Sequence, residues 1–233
     1  LIPDVKVMGN AVLPLISEAG DDADAYDTPL PAETPGMDME KNEGETDTEK
    51  ETPEEAPYSP QPIGYQLSYP DLYVTPPEEY IEEEDKIAYL TFVDGPSART
   101  EDILDTLEEY DIKATFFVVT NKLNVDTLRR IAQEGHSIGI HTHSHQYKEI
   151  YESIDAYLDD FNTAFTAVYE ATSIKPNIFR FPGGSINAYN RGFYQELNSE
   201  MLRRGFVFYD WNVSSGDSAP NTGSERGYQN ITQ

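Results

Sequence analysis

From Lys86 onward, apolar positions recur in two alternating rhythms. "KIAYLTF" (86–92), "ATFFVVT" (114–120), "SIGIHTH" (137–143), "NIFRFPG" (177–183) and "GFVFYDWNV" (205–213) are short apolar or β-branched runs. Each reads as a buried strand. Between them apolar residues fall three and four apart, as Ile103, Leu104 and Leu107 do in "ARTEDILDTLEEY" (98–110). The same spacing predicts helices over 125–135, closed by Gly135, over 147–172 as one long amphipathic helix, and over 189–204. Strand and helix in strict alternation build right-handed βαβ units, hence a parallel sheet covered by helices. A doubly wound sheet and a (β/α) barrel both fit. The glycine fingerprint of a dinucleotide fold is missing after the first strand, which disfavours a nucleotide-binding domain. In either architecture the chemistry belongs at the carboxyl ends of the strands.

The N-terminal quarter is different. Residues 17–57 are rich in Glu, Asp, Thr and Pro, with Tyr26 as their one aromatic. Such a stretch buries too little apolar surface to offset its ordering entropy, so residues 1–57 are expected to form a disordered acidic linker. Residues 58–85, full of Tyr and Pro, suggest an irregular but ordered arm before the domain at 86–233. The 233 residues carry a net charge of −27, which disfavours nucleic acid and anionic membranes and points to a neutral or cationic target. The chain has no cysteine, which excludes disulfides, thiol catalysis and cysteine-based zinc sites. No apolar run approaches the ~18–20 residues of a membrane span, and no export signal is visible.

The strand ends carry the chemistry. The first offers Val93 and Asp94. The third offers His141, His143 and His145, three of the chain's four histidines. The fourth offers Arg180 and the turn Pro182-Gly183-Gly184, and the fifth Asp210, Trp211 and then Asp217. Singly, each has an ordinary explanation: a surface histidine cluster, a helix-capping Asp, an Arg paired with surface carboxylates, a core Trp. Jointly, a carboxylate and two imidazoles at one rim make a site for a divalent cation.

At these residues the sequence resembles the polysaccharide deacetylases, the NodB-homology or carbohydrate esterase family 4 domains. The motif T-F-D-D-G-P-S stands as Thr91-Phe92-Val93-Asp94-Gly95-Pro96-Ser97, and H-[ST]-x-x-H as His141-Thr142-His143-Ser144-His145. R-x-P-[YFG]-G stands as Arg180 to Gly184, and the W-x-V-x-S-x-D motif as Trp211 to Asp217. The resemblance implies a distorted (β/α) barrel that removes acetyl groups from N-acetylated glycans such as peptidoglycan or chitin, in a bacterial extracellular or cell-wall setting. It implies a divalent metal, zinc first and cobalt or nickel as alternatives, held by Asp94, His141 and His145. His143 would point away and Thr142 would steady the loop. Gly183 would offer its N–H to the oxyanion, and Pro182 and Trp211 would line the substrate groove. Arg180 would orient the catalytic aspartate, and Asp217 would tune a histidine near the C-terminus.

Two departures stand out. The position of the general base holds Val93, which accepts no proton, and no histidine follows His145. The pattern also stops about two or three strands short of a closed barrel. The expectation is therefore an incomplete barrel with exposed sheet edges prone to association, and an impaired enzyme or a non-catalytic glycan binder. Arg180, without an aspartate beside it, would need Asp94 or Asp217 to balance its charge.

Overall fold

A computed structural model describes residues 64–78 and 88–217. The acidic segment 1–57 lies outside the described residues, as do parts of the arm. The sheet has five parallel strands: β1 (Thr91–Gly95), β2 (Thr115–Val118), β3 (Ser137–Ile140), β4 (Ile178–Phe179) and β5 (Val207–Phe208). Their spatial order is their order in the chain, β1-β2-β3-β4-β5. A doubly wound sheet reverses direction at a switch point, whereas this one winds one way only, as a (β/α) barrel wall does.

One-way winding places the crossover helices on one face. These are α2 (Thr100–Glu109), α3 (Val125–Gln133), the short α4 (Tyr147–Ile150), α5 (Ile154–Thr172) and α6 (Tyr194–Arg203), with α1 (Gly64–Leu67) preceding the sheet. Strand alternation divides the sheet residues between two faces. Phe116, Val118, Ile138, Ile140 and Phe179 join Leu104, Leu128, Ile131, Phe161 and Met201 in the core under the helices. Thr91, Val93, Phe117 and Gly139 alternate to the other face, where Val93 pairs with Phe117 and Phe117 with Gly139. A Cβ at Gly139 would lie 2.5 Å from the Phe117 ring, so the missing side chain is what lets that ring lie flat against the sheet.

The strand expected over 86–92 is β1 at Thr91–Gly95, with 86 and 87 outside the described residues, and β4 and β5 are shorter than their apolar runs. Two helix boundaries also differ from the sequence expectation. The helix expected over 147–172 is broken into α4 and α5, because Ser153 adopts an extended backbone and its hydroxyl accepts the Ala156 N–H at 3.1 Å. Apolar spacing runs through the break without interruption, so periodicity alone hides it. The helix expected to begin at 189 begins at Tyr194, since Asn187 and Asn190 tie residues 182–190 into side-chain-bonded turns.

Part of the Tyr/Pro-rich arm is fixed by one buried cation. Arg204, wholly buried, donates to Glu200 at 2.6 Å and to the carbonyls of Tyr65, Ser68, Tyr69 and Leu72 at 2.8–3.4 Å. Gly205 has φ +88°, and a Cβ there would sit 2.0 Å from the Val74 carbonyl oxygen, so only glycine admits the arm at this corner. Among the described residues no helix is long and apolar enough to cross a membrane. Truncating Arg204→Ala removes the guanidinium donor from four carbonyls, of which those of Tyr65 and Tyr69 keep the Ser68 and Leu72 N–H, and strips Glu200 of one partner. The expected cost is about 3 kcal/mol in urea unfolding, while Arg129→Ala, whose ion pair with Asp126 is exposed, should cost under about 1 kcal/mol.

Candidate metal centre

Asp94 leaves the β1–β2 ladder. The register passes from Val93↔Phe117 directly to Gly95↔Val118, so Asp94 is the extra residue of a bulge. Its φ of +65° is tolerable for a short polar residue, and it turns the carboxylate off the strand towards the β3 end. Two ligand-loop residues also carry positive φ, Thr142 at 73° and His145 at 56°. A β-branched residue in that region is strained, and the surroundings must hold it.

The holding groups are identifiable. The buried Thr142 hydroxyl accepts the His145 N–H at 3.2 Å. From α5, Asp160 accepts the backbone N–H of His143 at 2.5 Å and of Ser144 at 2.9 Å. From the other side, Asn121 donates its backbone N–H to the His143 carbonyl and its amide to the Ser144 carbonyl. His143 turns to the Thr120 hydroxyl, 2.9 Å from its Nδ1, and is not among the grouped ligands.

Asp94 Oδ1 lies 3.4 Å from His141 Nε2 and 3.3 Å from His145 Nε2. One potential ligand atom from each of the three residues falls within 4.8 Å of the others. His141 Nδ1 sits 2.8 Å from the Arg180 carbonyl, which can only accept, so Nδ1 carries the proton. Burial pushes the His141 pKa down and keeps the ring neutral. Its Nε2 therefore presents a lone pair to a carboxylate. Two acceptors face each other at 3.4 Å, an arrangement that a cation between them relieves. The donor set, one carboxylate and two imidazoles, fits a divalent metal.

Around this cluster the other predicted residues take definite places. Gly183 has φ +77° and is exposed; a Cβ there would lie 2.9 Å from the Tyr147 ring. Gly184 is flanked by Trp211, 3.7 Å from where its Cβ would be. The glycine turn thus runs between Tyr147 and Trp211. Tyr147 in turn packs edge-on against His145 and beside Tyr189, with ring centroids 5.3 Å apart in each pair. The Pro182 carbonyl accepts from Tyr151 and Asn187. Asp210 takes the Ser185 N–H at 3.0 Å and its hydroxyl, pinning the far side of the turn.

Arg180 is buried and lies 4.3 Å above the Phe117 ring centroid. The expected balancing by Asp94 or Asp217 is not what the described contacts give. The guanidinium donates instead to the carbonyls of Tyr209 and Asp210 and to the Thr91 hydroxyl, at 2.8–3.1 Å. Burial lowers its pKa to about 10, against which the Asp210 charge works, so it stays protonated at neutral pH. Thr91 and Val93 share a strand face, so Val93 stands next along the face to which the guanidinium bonds. Asp217 is exposed on the segment after β5 and hydrogen-bonds Ser215; its described contacts do not reach Asp94, His141 or His145.

Sequence reasoning missed Asp160, Asn121, Tyr147 and the pinning role of Asp210. Asp160 is one more acid on a helix, and nothing local marks it, because its partners lie 16 and 17 residues away. Beside the cluster a cleft of about 720 Å³ opens between the β1–α2 and β2–α3 connections, with Asp94 and His145 among its lining residues.

A one-way parallel sheet with a carboxylate and two imidazoles gathered at its strand ends defines an α/β protein of barrel type with a candidate metal centre. The chain belongs to the polysaccharide deacetylase family, whose family model matches residues 81–202. It is 32% identical over 149 residues to a peptidoglycan-N-acetylglucosamine deacetylase of Bacillus cereus, covering 63% of this chain and 53% of that protein. It is 34% identical over 129 residues to the peptidoglycan-N-acetylmuramic acid deacetylase PdaC of Bacillus subtilis, covering 54% of this chain and 26% of that protein. The chain thus spans about half the length of the first relative and about a quarter of the second. Among solved structures, the catalytic domain of peptidoglycan N-acetylglucosamine deacetylase from Eubacterium rectale superposes with a TM-score of 0.62. That pair is 38% identical and covers 65% of this chain and 71% of that one.

Removing the Asp160 clamp should loosen the His141–His145 loop without touching a ligand atom. Asp160→Ala is expected to weaken zinc binding by about 10- to 100-fold in a chelator competition, against a much smaller change for Asp159→Ala on the same helix.

Proposed function

We propose that this chain binds an N-acetylated cell-wall glycan, peptidoglycan or a chitin-like polymer, and that its site is laid out for metal-dependent hydrolytic removal of the acetyl group. The observation that carries this reading is the convergence of Asp94, His141 and His145 on one point. These three would hold a divalent ion, with zinc the first choice and cobalt or nickel as alternatives. Such an ion, when bound, polarises the acetyl carbonyl and lowers the pKa of a coordinated water towards ~7.

The chain's own groups would supply the rest. The N–H of Gly183, an exposed residue on a turn pinned from both sides, would donate to the carbonyl oxygen as it gains charge. Trp211, 38% exposed, and Tyr147 would wall the groove through which the sugar reaches that turn. Arg180 would hold a fixed positive charge along the strand face of residue 93. That charge has the sign and place to orient a carboxylate, and the residue there is Val93. Asp217 would act through groups other than its described contact, Ser215. The relatives named for peptidoglycan support a bacterial, extracellular or cell-wall setting.

A second reading, glycan binding without turnover, is favoured by Val93 itself. A missing general base costs about 10²- to 10⁴-fold. Acetate release from chitotetraose and from peptidoglycan, with zinc or cobalt added, separates the two. The expected result is slow or undetectable release by the natural chain, stopped by EDTA, and an increase of about 10²- to 10⁴-fold in Val93→Asp. Acetate at the natural chain's rate or faster from the metal-free protein would overturn the metal reading. No acetate from metal-loaded Val93→Asp would overturn the hydrolase reading.

A further inference from the structure

The cleft beside the metal centre has an unusual charge balance for so acidic a chain. Its volume of about 720 Å³ lies in the ~300–1,000 Å³ range of small-ligand sites, and leaves room for a sugar ring beyond the one at the glycine turn. Its walls are Pro96 and Ser97 on one side and Val119, Asn121, Lys122 and Asn124 on the other, and Gly183 is not part of them.

The acids that face this cleft are already committed. Glu101 accepts the Thr127 hydroxyl at 2.5 Å through one oxygen and Arg130 at 2.6 Å through the other, and these bonds hold its pKa below the usual carboxylate range. Arg130 is itself shared with Asp105 and Glu134, each at 2.6 Å. Asp94 faces the two imidazoles. Lys122, by contrast, lines the cleft with an exposed side chain and makes no ion pair among the described residues. Its backbone is well anchored. Asn121 before it is bonded to His143 and Ser144, and Leu123 after it donates to the Thr120 carbonyl. Asn124 caps α3 with its side chain. A free ammonium on a fixed turn, in a chain of net charge −27, is the cleft's one uncommitted charge among the described residues.

We propose that Lys122 pairs with a carboxylate carried by the sugar unit next to the one whose acetyl group reaches the metal centre, so that the cleft prefers an acidic glycan to a neutral one. The inference rests on the glycan-binding reading above and sharpens it from N-acetylated polymers in general to those with acidic substituents. The carboxylate has two sources of the same chemistry: a lactyl ether on the sugar, as in muramic acid, or a peptide attached to that ether. Lysine suits either, as a mobile point charge without the fixed fork of arginine.

Calorimetric titration of the zinc-loaded protein at about 10 mM salt tests this with three probes. They are chitotetraose, a peptide-free tetrasaccharide of alternating N-acetylglucosamine and N-acetylmuramic acid, and the same tetrasaccharide bearing its peptides. The expected result is about fivefold tighter binding of an acidic tetrasaccharide than of chitotetraose. That preference should fade at about 0.5 M salt, where screening acts within a few ångströms. A preference shown by the peptide-free probe assigns the lactyl carboxylate, and one confined to the peptide-bearing probe assigns the peptide. Lys122→Gln should erase the preference and leave chitotetraose binding unchanged, and Lys122→Arg should keep it. Equal affinities for all three probes, or a preference that survives in Lys122→Gln, would overturn the inference while the glycan-binding reading stands. Binding of none of the probes would overturn both.

Discussion

Three groups with lone pairs to offer are held face to face at the β1 and β3 ends. Asp94 stands 3.3–3.4 Å from two imidazole nitrogens, and one of those rings is locked neutral with its bare nitrogen inward. That juxtaposition is costly without a cation, and much of the local architecture exists to impose it. The bulge at Asp94, the left-handed backbone of Thr142 and His145, and the clamps from Asp160 and Asn121 all act against relaxation of the cluster. Strain of this kind persists only where neighbouring elements over-determine it. Here α5, β1 and the β2–α3 turn do so together.

The glycine turn is held in a similar way. Gly183 and Gly184 both adopt positive φ, and at Gly183 the Tyr147 ring also occupies the space a side chain would need. Tyr147 flanks Gly183 and Trp211 flanks Gly184, so the turn runs between two aromatic rings. Asp210, Asn187 and Asn190 fix the turn from behind, so its direction is set before any ligand arrives.

On the opposite sheet face, Arg180 keeps its charge with no ion pair to a carboxylate among the described residues. Two carbonyls, a threonine hydroxyl, the face of Phe117 and, at longer range, Asp210 together stabilise the guanidinium. Carbonyl dipoles can hold a guanidinium without neutralising it. Valine at position 93 therefore leaves the guanidinium bonded on all sides that the described contacts reach.

The alternation of apolar runs with 3.6-period segments was enough to read a parallel α/β sheet, because both rhythms are local. The motif residues Asp94, His141 and His145 were legible for a related reason: parallel strands bring their carboxyl ends to one rim, so residues at those ends meet wherever the strands pair. Whether the sheet was doubly wound or barrel-like stayed open in the alternation, and the strand order decides it. The break at Ser153 lay hidden because the apolar stripe continues through it. Asp160, Tyr147, the partners of Arg180 and the cage around Arg204 were invisible because each rests on contacts between residues distant in the chain. Local sequence sets which side chains stand at the strand ends; only packing across the sheet decides what holds them there, since backbone carbonyls and ring faces carry no sequence signature of their own.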